Sequence, residues 1–241
     1  MTFLSRISFS AAVAAASLAA AAAATVTGRF ELTGSRLASV AREKNYSGVV
    51  VWLEPANGKP EPPAPATHTI VQKGKRFLPH VSVVPVGSVV DLPNRDPIFH
   101  NAFSNFAGQP FDTGLYAPGT SYRVRFRRAG VVRVFCNIHS SMSAVIVVTP
   151  TAWYAETKPD GTFRIDGVPP GDYIVKVWHE RAAEATLAGL ERRIAVAGES
   201  AALPPASIPE AGWSPAPHRN KFGKEYGPEP PDKPVPGYKG R

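Results

Sequence analysis

Residues Phe135–Met142 read F-C-N-I-H-S-S-M, which places a thiol, an imidazole and a thioether at i, i+3 and i+6. Cys136 is the single cysteine of the chain, and Met142 is the single methionine besides Met1. Upstream, Asn94–Asn101 reads N-R-D-P-I-F-H-N and offers a second imidazole, His100. Thiolate and thioether are soft donors and imidazole is intermediate. Two histidines and a cysteine in a trigonal plane, with a weak axial methionine, suit an ion that cycles between Cu(I) and Cu(II). A short loop after one strand can deliver three ligands, and His100 would close the site from another strand end. A set pinned by two strand ends moves little when the ion changes charge. Zinc in the same pocket is the alternative. Taken singly, a cysteine on a strand is an ordinary core residue and loop histidines are incidental. The coincidence of all four residues carries the metal reading.

The elements that must position these residues read as strands. Short Val-rich runs separated by Gly and Pro, with little helical periodicity, predict an all-β protein. Val26–Phe30 and Ser47–Leu53 are the first two strands, and a Pro-rich connector follows from Glu54 to Ala66. The next candidates are His68–Gln72, Val81–Val90, Ser121–Arg127, Val131–Phe135 and Ala144–Val148. Asn94–Pro118 lacks alternation and reads as an excursion over one end of the sheets. Lys158-Pro159-Asp160-Gly161 is a hairpin turn between Trp153–Thr157 and Thr162–Ile165. Pro169-Pro170-Gly171 turns the chain into Tyr173–Trp178, with Arg192–Val196 and Leu203–Ile208 beyond. Residues 210–241 contain seven prolines and read as an extended tail, disordered or draped over the surface. Lys73-Gly74-Lys75-Arg76 reads as a solvated turn. His80 reads as exposed, and His179 as packing between domains.

On these residues the segment 67–148 resembles the cupredoxins, the plastocyanin-like blue copper proteins. Cys-x2-His-x2-Met is the short ligand loop of amicyanin, and Phe77–Val90 is similar to the strand pair before the first ligand. The resemblance implies a Greek-key β-sandwich that holds one type 1 copper ion. His100, Cys136 and His139 would be its equatorial ligands and Met142 its axial one. Asn101 would steady the ligand loop by hydrogen bonding. Many members carry proline beside the second histidine, where this chain has Ile138 and Ser140. Thr157–Trp178 resembles the carboxypeptidase regulatory-like domain, a small transthyretin-like β-sandwich. Gly28-Arg29-Phe30 and Ser47–Leu53 match that domain's opening strands. The implied organisation is discontinuous: 26–57 and 149–209 form the regulatory-like unit, 67–148 the inserted copper unit, and 210–241 the tail. The combination is similar to periplasmic proteins labelled methylamine-utilisation proteins.

Residues 1–24 carry one charge, Arg6, then an Ala-rich apolar run that ends in small residues. This is the pattern of a secretory leader cleaved after Ala24, which predicts a soluble periplasmic protein with no stable membrane insertion. In an oxidising compartment a lone thiol survives by burial or ligation. The net charge of +8 would attract acidic partners. Its basic residues are scattered, which argues against nucleic acid. No nucleophile elbow or phosphate loop occurs, and with Met142 axial no open coordination site remains for catalysis. The expectation is therefore a one-electron carrier, not an enzyme. It would pass electrons through an exposed edge of His139 to a cytochrome, dehydrogenase or oxidase. A copper-binding, delivery or assembly accessory protein is the alternative. Phe99, Phe103, Phe106 and Ile138 are expected to form an apolar collar around the ligands.

Overall fold

The computed structural model describes residues 23–61, 63–211, 213, 218–229, 231–236 and 238. Along the chain come β1 (Ala24–Thr33), α1 (Ala38–Ala41), β2 (Val49–Pro55), β3 (Thr67–Thr69), β4 (Val71–Gln72) and β5 (Phe77–Leu78). Then follow β6 (Val81–Pro85), β7 (Val89–Pro93), β8 (Phe103–Ser104), β9 (Phe111–Asp112), β10 (Ser121–Arg125), β11 (Gly130–Phe135) and β12 (Ser143–Thr149). The last elements are β13 (Tyr154–Glu156), β14 (Thr162–Val168), β15 (Gly171–His179), α2 (Glu184–Leu190), β16 (Arg192–Val196), β17 (Ser200–Ala202) and β18 (Ala206–Pro209). The protein is all-β and built of β-sandwiches.

One sandwich faces a sheet ordered β14-β1-β17, with β18 also on β1, against a sheet ordered β13-β2-β15-β16. Strands from both sides of the 67–149 segment thus share its sheets. β1 runs antiparallel to β14, and β2 runs antiparallel to both β13 and β15. Its core holds Phe30, Val49, Val51, Leu53, Phe163, Ile165 and Val175. The Asp160-Gly161 turn packs against this sheet. Gly161 has φ +82°, and a Cβ there would meet the Phe30 carbonyl oxygen, so only glycine fits.

The other sandwich faces β10-β7-β3 against β6-β12-β11-β8-β9. Val90, Leu92 and Val124 meet Val132, Val134, Ala144, Ile146 and Val148 in its core, together with Cys136 and Met142. The run Val81–Val90, expected as one strand, is two. β6 pairs with β12 in one sheet, and β7 pairs with β10 and β3 in the other. The chain turns between them at Gly87, whose φ is +91°.

The two sandwiches pack back to back. In β2, Val49, Val51 and Leu53 fill one core while Val50 points the other way. In β12, Ala144, Ile146 and Val148 fill the other core while Val145 and Val147 point outward. Val50, Trp178, Val145 and Val147 meet in a third buried cluster. Side chains alternate across a strand, so strands buried on both faces read as unbroken apolar runs.

Ala24 is the last residue of the expected leader. It is fully buried as the first residue of β1 and pairs with Val168. The rest of the expected leader, residues 1–22, lies outside the described residues. Among the described residues no helix is long and apolar enough to cross a membrane.

An ion pair ties the sandwiches at their edge. Glu180, after β15, faces His80 Nε2 at 2.8 Å and Arg133 at 3.2 Å. The Glu180 hydrogen bond raises the pKa of His80 above its ordinary 6.5, against an opposing effect of burial. A raised folded-state pKa stabilises fully below the unfolded value and fades as pH climbs through the folded one. His80→Gln is expected to lower the melting temperature near pH 5.5 and to approach wild type above pH 8. A melting difference that stays constant with pH would show that the charge on His80 contributes nothing.

Candidate metal centre

β11 ends at Phe135 and β12 begins at Ser143, so Cys136–Met142 is the loop between paired strands. The loop folds on itself. Cys136 N–H donates to the Met142 carbonyl and Met142 N–H to the His139 carbonyl, each at 3.1 Å. His100 sits on the excursion after β7, held by a bridge to Tyr116. The Asn94 side chain closes its turn by donating to the Ile98 carbonyl at 2.8 Å and accepting from Asp96 N–H at 3.0 Å.

These elements bring His100, Cys136 and His139 together, all three buried, with donor atoms mutually within 4.8 Å. Cys136 Sγ lies 4.0 Å from His100 Nδ1 and 3.6 Å from His139 Nδ1. Metal bonds of about 2.05 Å to nitrogen and 2.3 Å to sulfur, at trigonal angles, would separate N from S by about 3.8 Å. The observed distances straddle that value, so the three donors fit one ion. Met142 is fully buried in the same core. Asn101 joins the loop to the excursion. Its Oδ1 accepts from Asn137 N–H at 2.5 Å, and its amide donates to Asp112 at 3.2 Å.

One residue the sequence reading did not single out is Asp96. Its Oδ2 accepts from His100 Nε2–H at 2.7 Å. That bond leaves the Nδ1 lone pair free and aimed at Cys136, the tautomer a metal ligand needs. Asp96 is held in turn by Gly74 N–H at 2.5 Å and Lys75 N–H at 2.8 Å. The turn Lys73–Arg76, expected to be merely solvated, is this cradle. Gly74 and Lys75 both have positive φ, which lets successive amides point at one anion. Burial pushes the Asp96 carboxyl up, but the Lys75 and Gly74 amides and His100 outweigh it, and its pKa is lowered. The available signal was an aspartate four residues before the histidine.

Burial lowers the pKa of His100, against the pull of Asp96. Burial and then the neighbouring His100 lower that of His139. Both shifts favour the neutral ring, the form able to ligate. Burial raises the Cys136 thiol, against the amides of Asn101, Ile138 and His139. A cation that displaces its proton gains a thiolate.

Two expectations need correction. His139 is 1% exposed, so it presents no open edge. Pro231, Asp232 and Lys233 line a small cavity with it, beside Ile98, Phe99 and Ile138. The collar also differs. Phe99 and Ile138 border His139, although Phe99 is 45% exposed. Phe103 is buried against Phe135. Phe106 instead packs over Gly130 and lines a cavity between the sandwiches with Trp178. His179 holds no metal cluster among the described residues. It is bonded to Glu210 at 2.6 Å and to the Gly48 carbonyl at 3.1 Å.

No protein-family model and no curated protein matches the chain. Several solved structures are similar to part of it. The copper-containing nitrite reductase of Thermus scotoductus SA-01 is 28% identical over 39% of this chain and 24% of its own, with a TM-score of 0.33. Less than a quarter of that reductase is thus spanned. A purple cupredoxin from Nitrosopumilus maritimus is 23% identical over 34% of this chain and 99% of its own, with a TM-score of 0.32. A single-site mutant of amicyanin in its Cu(I) form is 18% identical over 41% of this chain and 99% of its own, with a TM-score of 0.34. Each likeness is partial in extent and remote in sequence.

Proposed function

We propose that the chain is an exported, periplasmic electron carrier that holds one type 1 copper ion and catalyses no reaction of its own. The observation that supports this best is the convergence of His100 Nδ1, Cys136 Sγ and His139 Nδ1 in a buried pocket. When bound, copper supplies a one-electron couple between Cu(I) and Cu(II). The protein's own residues do the rest. Asp96 fixes the His100 tautomer, Asn101 ties the ligand loop to the excursion, and the surrounding core excludes water. Met142, buried in the same core, would supply a fourth, weakly held thioether. The redox partner would be a cytochrome, dehydrogenase or oxidase with an acidic docking face. The sandwich formed by 24–55 and 154–209 is read as a regulatory-like unit that braces the copper unit.

The test is the visible spectrum of copper-loaded protein followed by a redox titration. An intense thiolate-to-copper band and a reversible one-electron wave are expected. A protein that stays colourless with stoichiometric Cu(II) would overturn the reading. A coloured protein that titrates irreversibly and yields copper readily would favour copper delivery.

The axial position gives a finer test. Met142→Leu is close to volume-conserving, so its packing cost should stay below about 1.5 kcal/mol. It should keep copper and colour and raise the reduction potential. Met142→Gln offers a harder oxygen that favours Cu(II) and should lower it. Voltammetry with parallel copper analysis reads both. Unchanged potentials would remove Met142 from the ligand set.

A further inference from the structure

The C-terminal segment, read from composition as an extended tail either disordered or draped over the surface, runs in its described residues across the metal end. The His218 ring stacks on Phe135 at 4.0 Å, and its Nε2 bonds the Ser140 carbonyl at 2.8 Å. Lys221 N–H donates to Asn137 Oδ1 at 3.0 Å, and its ammonium pairs with Asp112 at 2.6 Å. The Tyr226 hydroxyl donates to the Cys136 carbonyl at 2.9 Å. Lys75 pairs with Asp232 at 2.8 Å and Glu229 at 3.7 Å. Val235 N–H donates to the Pro97 carbonyl at 2.7 Å. Pro231, Asp232 and Lys233 then line one small cavity with His139.

We propose that the described residues 218–229 and 231–235 belong to a releasable strap that closes the metal end, with 231–233 seated over His139 where a redox partner would otherwise approach. That partner role rests on the copper reading. The closure itself does not. The strap contacts both chain segments that carry the candidate ligands, so its position is specific. Yet no described residue of 218–238 is buried, and none joins either hydrophobic core. Polar tethers at a surface hold it, and exposed ion pairs are weak and screened by salt. A cover with many tethers and no buried apolar anchor belongs to the part of a protein that opens locally. Lys75 links strap and site. Its side chain holds Asp232 and Glu229, while its amide holds Asp96, the partner of His100.

The test uses the metal-free full-length chain. Diethyl pyrocarbonate modifies accessible neutral imidazoles, and peptide mass spectrometry reads each histidine. His179, buried in the other sandwich, reports global unfolding. In wild type at low salt His139 is expected to react slowly. Raising salt shortens the Debye length from about 30 Å at 0.01 M to about 3 Å at 1 M and should speed its modification severalfold, with His179 unchanged. Glu229→Lys with Asp232→Lys should open the strap at low salt and speed His139 modification at least about tenfold. Adding Lys75→Glu restores opposite charges and should restore protection. Equal His139 rates in wild type and the double variant would overturn the strap. So would a triple variant that stays unprotected. A protein that shows the protection pattern but never turns blue keeps the strap and loses the copper reading. A blue protein without the pattern does the reverse.

Discussion

Replacing Cys136 with serine is expected to abolish the charge-transfer band and to weaken copper binding more than any other single substitution. The band needs a sulfur orbital overlapping the half-filled copper orbital, and a serine hydroxyl offers neither softness nor an anion at neutral pH. The loss should exceed the roughly 10–100-fold that follows removal of a group hydrogen-bonded to a ligand. The fold should survive. Cys136 is fully buried beside Val134 and Met142, and serine is slightly smaller. Burying its hydroxyl should cost about 1–3 kcal/mol unless the surrounding amides satisfy it. The measurements are absorption, copper affinity by chelator competition, and melting of the metal-free proteins. A variant that keeps the intense band would place the sulfur outside the coordination sphere.

The candidate ligands were legible because their residue types are scarce. One cysteine and one internal methionine six residues apart leave few readings, and the structure places His100 and His139 beside that cysteine. The strands were legible where the apolar run is unbroken, as in β2 and β12. The turn inside Val81–Val90 was not. V-S-V-V-P-V-G-S-V-V keeps a strand-like pattern through a sheet crossing, and its one sequence mark, Gly87, takes the positive φ of the turn. Residues 94–118 follow no period, so Asp96 carried no signal beyond its distance from His100. Where the draped tail lies was illegible for the opposite reason. Its contacts are single polar pairs such as Lys75–Asp232 and Tyr226–Cys136. Such pairs join residues distant in sequence and leave no local pattern. Its proline content describes an extended chain and is silent about where that chain lies.

Asp96→Asn is expected to lower copper affinity by roughly 10–100-fold without removing any ligand. The wild-type carboxylate accepts three hydrogen bonds, from Gly74 N–H on Oδ1 and from Lys75 N–H and His100 Nε2–H on Oδ2. A carboxamide has one acceptor oxygen and one donor nitrogen. If the oxygen keeps Lys75 and His100, the NH2 group faces Gly74 N–H, donor against donor. If the amide flips, it faces the His100 edge, and the ring answers by moving its proton to Nδ1. That proton occupies the lone pair a metal would use. Either arrangement leaves a buried donor unmatched, which should cost the metal-free protein about 1–3 kcal/mol. The discriminating measurement is nitrogen NMR of the metal-free chain. Wild type should show His100 protonated at Nε2, and the variant should show a mixture or the Nδ1 form. His100→Ala provides the upper bound on affinity loss, since it deletes the ligand itself. If Asp96→Asn binds copper like wild type and keeps the Nε2 tautomer, the ring is oriented by packing alone and the Gly74–Lys75 cradle has no part in the site.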